Sequence, residues 1–106
     1  MHEQELYNYL RYCCRLKTVR FYIAGRFLLQ VELEFYSSPG RGIVRFLEIY
    51  LSGYKLRRIH TNFGDPNCLV LCFDKYTHRN TSFAVLDALS KFIDTNTKIE
   101  ICYSRG

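Results

Sequence analysis

The chain has 106 residues and a formal charge of +5, with 48% hydrophobic, 24% charged and 16% aromatic residues. That length accommodates one hydrophobic core, so a single α+β domain over residues 1–106 is expected, and the balance excludes a disordered or low-complexity chain. No apolar run approaches the ~20 residues of a membrane-spanning helix. The polar, acidic start Met1-His2-Glu3-Gln4-Glu5 argues against a secretory leader, so a cytoplasmic protein without membrane contact is expected.

Residues 3–17 read as a helix: Leu6, Leu10, Cys13 and Leu16 mark an apolar stripe, and an acidic start with a basic end suits the helix dipole. From Val19 to Tyr36 the period changes to two. Val19, Phe21 and Ile23 alternate with polar residues, then Phe27, Leu29, Val31, Leu33 and Phe35 do so. A hairpin with the three-residue loop Ala24-Gly25-Arg26 sets Ile23 opposite Phe27 and Phe21 opposite Leu29, keeping the apolar residues on one face. A two-residue loop pairs Phe21 with Gln30 or Leu28 and spoils that pattern. A single long strand bulged at Gly25 keeps the same phase as the three-residue hairpin, so both remain open.

Ser37-Ser38-Pro39-Gly40-Arg41-Gly42 leads into a second helix, with Ser38 as cap and Pro39 as first residue. Ile43, Phe46, Leu47, Tyr50, Leu51 and Tyr54 recur at helical spacing, and Gly53 is placed to stop the helix. Residues 56–63 and 68–74 read as the strands of a hairpin turned at Gly64-Asp65-Pro66-Asn67. The unbroken apolar run from Cys68 to Phe73 marks the second of these as a central strand. Residues 81–95 form a third helix with Val85, Leu86, Leu89, Phe92 and Ile93 inward, and residues 98–103 a last strand. From Phe27 onward the order is βαββαβ. The expected fold is therefore a ferredoxin-like split βαβ sheet with an added N-terminal helix and, in the hairpin alternative, an extra short strand. Leu29, Leu33, Leu69, Leu71, Ile99 and Ile101 are expected to face the two later helices. The other sheet face, with Leu28, Val70, Cys68, Cys72 and Cys102 alongside Gln30, Glu32 and Glu34, is half apolar, and the N-terminal helix or a second copy of the chain is expected to cover it.

The five cysteines form no disulfide framework and no zinc signature. Cys68 and Cys72 on one strand stand roughly 13 Å apart, too far for a disulfide or one metal ion. All five read as small apolar residues in a reducing compartment. Nucleophilic catalysis needs a base, and His2, His60 and His78 are the histidines on offer, none in a motif with Cys or Ser. Of these His78, in a polar loop before the third helix, is the candidate for function. Glu32 and Glu34 share a strand face at the spacing of a Mg²⁺ site, but also at that of a solvated strand face. Gly40-Arg41-Gly42 lacks the third glycine and the distal acid of a dinucleotide fingerprint. The full element order is similar to that of the LAGLIDADG homing endonucleases. Their motif ends the first helix with a metal-binding acid, whereas Cys14-Arg15-Leu16-Lys17 stands there here, so membership does not follow. No catalytic, cofactor-binding or metal-binding residue is assigned, and no cofactor is expected.

Two basic groups remain: Arg11, Arg15, Lys17 and Arg20, and a flank of Arg41, Arg45, Tyr54, Lys55, Arg57 and Arg58. Ten Arg against five Lys suit bidentate phosphate contacts, and the interleaved Tyr22, Tyr50 and Tyr54 suit base stacking. Arg and Tyr are equally the residues enriched at protein interfaces, and exposed strand edges invite homodimers. The expected function is a small non-enzymatic binding protein, an adaptor or inhibitor that acts through protein–protein contacts and self-associates. The alternative is nucleic-acid binding through the flank Arg41, Arg45, Tyr54, Lys55, Arg57 and Arg58.

Overall fold

A computed structural model describes residues 3–104, with all their side chains except those of Glu3, Leu6, Arg11 and Cys13. The expectations for His2, and for the side chains of Leu6, Arg11 and Cys13, lie outside the described residues. The chain forms α1 (Glu3–Asn8), β1 (Leu16–Ala24), β2 (Phe27–Phe35), α2 (Arg41–Tyr50), β3 (Leu56–Asn62), β4 (Asp65–Phe73), α3 (Thr81–Leu89) and β5 (Lys98–Ser104). These make an α+β fold on a five-stranded mixed sheet in the order β3-β4-β2-β1-β5. β1 runs parallel to β5, and the other neighbouring pairs are antiparallel. The strand in front of the βαββαβ run is thus neither short nor peripheral: β1 has nine residues and lies between β2 and β5. No helix among the described residues is long and apolar enough to cross a membrane.

The first helix stops well before Lys17. After Asn8 the chain makes a π-helical turn, Tyr9–Cys13, closed by the Cys14 N–H on the Tyr9 carbonyl at 2.8 Å, and Leu16 already belongs to β1. Leu16 fits the apolar phase of either element, and pairing opposite Phe35 decides the matter in favour of the strand. A register shift at Lys17 then keeps Leu16 and Val19 on the same buried side.

Residues 16–35 form a hairpin, but not the expected one. Its turn is two residues, Gly25-Arg26, with Ala24 opposite Phe27 and Ile23 opposite Leu28. Gly25 takes φ +59°, which a hairpin turn requires and glycine supplies without a Cβ clash. The phase problem of a short loop is solved by a bulge. Leu29 is the extra residue, so Tyr22 pairs with Gln30 and Phe21 with Val31. Leu28 consequently turns inward and Leu29 outward, 48% exposed, the reverse of their expected sides.

Three further boundaries move for local reasons. Gly40 rather than Ser38 caps α2, while the Ser38 hydroxyl donates to the Pro66 carbonyl at 3.2 Å. The α2 helix ends at Tyr50 and passes through a 3₁₀ turn, Ser52–Tyr54, into a left-handed residue that is Lys55 (φ 65°), not Gly53. The β3–β4 connection is the pair Phe63-Gly64, and Asp65, Pro66 and Asn67 are the start of β4, beyond the stretch that pairs with β2. A proline is tolerated there because that end of the strand has a neighbour on one side only.

One core lies between the sheet and the helices. Ile43, Leu47 and Leu51 from the α2 segment and Val85, Leu89 and Phe92 from the α3 segment pack on Val19, Phe21, Val31, Leu33, Leu69 and Leu71. Side chains such as Leu47, 1% exposed, each contribute about 1.5–3 kcal/mol by leaving water. The N-terminal segment joins this same layer: Leu10 is part of the core, and the Tyr7 ring lies 5.7 Å from that of Phe92. It therefore does not cover the opposite sheet face, because Leu10 finds its apolar partners on the helix side.

Candidate functional site

The basic flank Arg41, Arg45, Tyr54, Lys55, Arg57 and Arg58 is spread out in the structure. Arg41 and Arg45 are exposed on the first half of α2. Lys55 and Arg57 lie beyond the other end of that helix, whose ten residues span about 15 Å. There they meet at Asp74: its N–H donates to the Lys55 carbonyl at 3.0 Å, and Arg57 Nε is 3.6 Å from its Oδ1. Arg57 is the bulged residue of β3, so Arg58 turns to the open sheet face, opposite Cys72. Tyr54 is half buried against the core. Tyr50 is also committed: its hydroxyl donates to the Ala88 carbonyl at 2.7 Å and its ring packs on Phe46 and Phe92.

Arg15, Lys17 and Arg20 of the second basic group are paired within the chain. Arg20 stands on the open sheet face among three carboxylates. Its Nη1 donates to Glu32 Oε1 at 2.9 Å, its Nη2 to Glu34 Oε1 at 3.2 Å and its Nε to Glu100 Oε2 at 2.9 Å. The strand register dictates this, since Glu32 and Glu100 are the direct neighbours of Arg20 on its two sides. Burial alone would lower the guanidinium's pKa, but the hydrogen bonds to Glu100 and Glu32 outweigh it and raise it. Lys17 lies 3.9 Å from Glu34, and Arg15 lies 3.6 Å from Asp94 with its guanidinium over the Tyr36 ring. Glu32 and Glu34 thus hold a guanidinium where a metal ion was weighed. Among the described residues no group of three or more His, Cys, Asp or Glu side chains is arranged to hold a metal ion.

Around this cluster the open face is more buried than its lack of a covering helix suggests. Thr18, Cys68 and Val70 are almost inaccessible. Burial, together with the charge of Glu32, pushes the Cys68 thiol up to about 12, and the same two causes raise the Tyr22 phenol above its usual value. Cys68, Cys72 and Cys102 are free thiols. His78 serves the backbone: its Nδ1 accepts from the Asn80 N–H at 3.0 Å just before α3, and the residue bridges to Phe27.

The site that sequence reasoning missed is the β5 edge. Ile99, Ile101 and Tyr103 sit opposite Val19, Phe21 and Ile23, on the helix side of the sheet as expected. Yet they are 42%, 55% and 71% exposed, because no helix reaches over the last strand. Phe83, on α3, is 73% exposed beside them. Together with Phe21, Ile23 and Leu86 these residues line a groove of about 250 Å³, whose polar members are Arg79, Asn80 and Ser82 at the start of α3. The Ser82 hydroxyl is a buried side-chain oxygen with no hydrogen-bond partner. One signal was present in the sequence: Phe83 falls outside the apolar stripe of the third helix. The distance of β5 from the helices had no signal, since it depends on β1 taking the inner place.

No protein-family model, no curated protein and no solved structure matches this chain.

Proposed function

We propose that the protein is a small binding module that acts through protein–protein contact rather than catalysis, and that its partner docks on the β5 edge and the groove beside α3. The observation that carries this reading is the contiguous apolar row of Phe83, Ile99, Ile101 and Tyr103, all large and all exposed. Contiguous exposed apolar surface is costly in water and marks places where a partner removes it. An unpaired strand edge supplies backbone donors and acceptors that a partner strand satisfies. The free thiols fit a reducing, cytoplasmic setting. We also read β2-α2-β3-β4-α3-β5 as a split βαβ unit of ferredoxin-like type with β1 inserted beside its first strand. The supporting features are the element order and the β2–β4 pairing.

Nucleic-acid binding through Arg41, Arg45, Tyr54, Lys55, Arg57 and Arg58 is the second reading. It is favoured by Arg41, Arg45, Lys55 and Arg58, which are exposed and have no ion pair among the described residues. The burial of Tyr50 in the aromatic core removes one of the rings that could stack on bases.

Photo-crosslinking in cells separates the two. A crosslinking residue at position 101 is expected to give discrete adducts that survive nuclease, and one at position 57 to give none. Nuclease-sensitive adducts at 57 with none at 101 would reverse the order of the readings. Nucleic-acid binding further requires high absorbance at 260 nm on purification, steep salt dependence, and loss of both on Arg57→Glu with Arg58→Glu.

A further inference from the structure

We infer that the partner on the β5 edge is a second copy of this chain, joined by antiparallel β5–β5 pairing across a two-fold axis at Ile99. This deepens the protein-binding reading and rests on it. The two ends of the sheet are built differently. The outer strand β3 carries Arg57, Arg58 and His60 and is interrupted by a bulge at Arg57, features that keep a strand edge from accepting a partner. At the other end β5 runs in unbroken register along β1 for all seven residues, without proline or bulge, and among the described residues nothing pairs with its outer edge.

The side chains of β5 select their own copy. In a two-fold antiparallel pair, residues directly opposite each other point to the same sheet face. An axis at Lys98 sets two lysines opposite each other, and an axis at Glu100 sets two glutamates opposite each other; both are unfavourable. An axis at Ile101 pairs all seven residues of β5 but sets Lys98 opposite Ser104 and Glu100 opposite Cys102, so no opposite charges meet. An axis at Ile99 pairs the stretch Lys98–Glu100 and places Lys98 opposite Glu100 of the second copy, twice, on the open face. On the helix side it places Ile99 against Ile99 of the second copy. Lys98 is exposed and has no ion pair among the described residues. Glu100, its side chain 44% exposed, belongs to a cluster in which three carboxylates face two cations, Arg20 and Lys17. An incoming lysine balances that cluster. A foreign strand would need an acid and a base at the same spacing, which β5 already provides for itself.

Sedimentation equilibrium on the full chain across the micromolar range tests this. A reversible dimer is expected. Lys98→Glu, which sets two acids opposite each other at both ends of the pairing, should raise the dimer dissociation constant roughly tenfold or more, and Lys98→Gln by less. Ile99→Lys should give a monomer, and Arg57→Glu on the far edge should leave the dimer unchanged. Thermal melts of each variant show that the fold is retained, and Lys98→Gln adds no charge that could perturb it. A wild-type monomer throughout the range would overturn the inference, as would a dimer indifferent to Lys98→Glu. A monomer that still forms nuclease-resistant adducts from position 101 discards the second copy and keeps the protein-binding reading. Loss of those adducts discards both.

Discussion

Replacing Arg20 by Met tests whether the open sheet face is held by charge. The Arg20 guanidinium donates to three carboxylates at 2.9, 2.9 and 3.2 Å, and methionine removes all three bonds while keeping most of the aliphatic stem. Glu32 and Glu34 have side chains only 13% and 20% exposed, so water cannot fully replace the lost donors. A hydrogen bond to a charged group contributes about 1.5–3 kcal/mol when well shielded, and solvent access at this face reduces that. Counting the two better-shielded bonds at roughly half strength and little for Glu100 gives a loss of about 1.5–3 kcal/mol. At about 4 °C per kcal/mol for a domain of this size, the melting temperature should fall by roughly 6–12 °C. Urea unfolding followed by circular dichroism measures the loss directly, with an unchanged m-value expected. Arg20→Lys should recover less than half, because one ammonium cannot reach carboxylates in three directions. Adding Glu32→Gln and Glu34→Gln to Arg20→Met should restore part of the stability, since the charge left unpaired is then gone. A loss below about 0.5 kcal/mol for Arg20→Met would refute the reasoning and reduce the cluster to an ordinary surface network.

Cys68, with its thiol pushed up to about 12, carries a thiolate fraction of only about 10⁻⁴ at pH 8. Iodoacetamide mapping by mass spectrometry should therefore label the half-buried Cys72 and Cys102 well before Cys68, and equal rates would contradict the burial argument. Because the folded value lies above the unfolded one, this thiol's contribution to stability is complete below about pH 8.5 and is lost as the pH rises toward 12. Cys68→Ala should flatten that alkaline loss. Gly25→Ala meets no atom within 4 Å, so its cost is the backbone strain at φ +59° alone, about 1 kcal/mol by urea unfolding; a neutral result would mean that the turn rearranges. Tyr50→Phe leaves the Ala88 carbonyl without its donor and should cost about 1 kcal/mol, with no effect expected if water takes the hydroxyl's place.

Periodicity located the elements because each main segment shows one face to a single core. The α2 stripe from Ile43 to Leu51 and the β4 run from Cys68 to Phe73 are buried or half-buried where the pattern placed them. Boundaries were harder where one residue served two patterns. Leu16 satisfied a helical and a strand phase alike, and the bulge at Leu29 exchanged the sides of two leucines that a regular strand fixes. Charge was legible only as a count. Arg20 grouped in sequence with other basic residues, yet its neighbours across the sheet are Glu32 and Glu100, 12 and 80 positions away.

By itself the sequence determined an α+β chain, most of its helix and strand segments and the interior place of β4. These follow from local propensity and from which side chains must leave water. The tertiary structure alone decided that β1 enters between β2 and β5. That single placement gives Arg20 its three carboxylates and sets the edge strand β5 one strand further from the helices. Ile99 and Ile101 carry the same apolar signal as any core strand residue, and whether they are core or contact surface depends on the strand order, which is a non-local property.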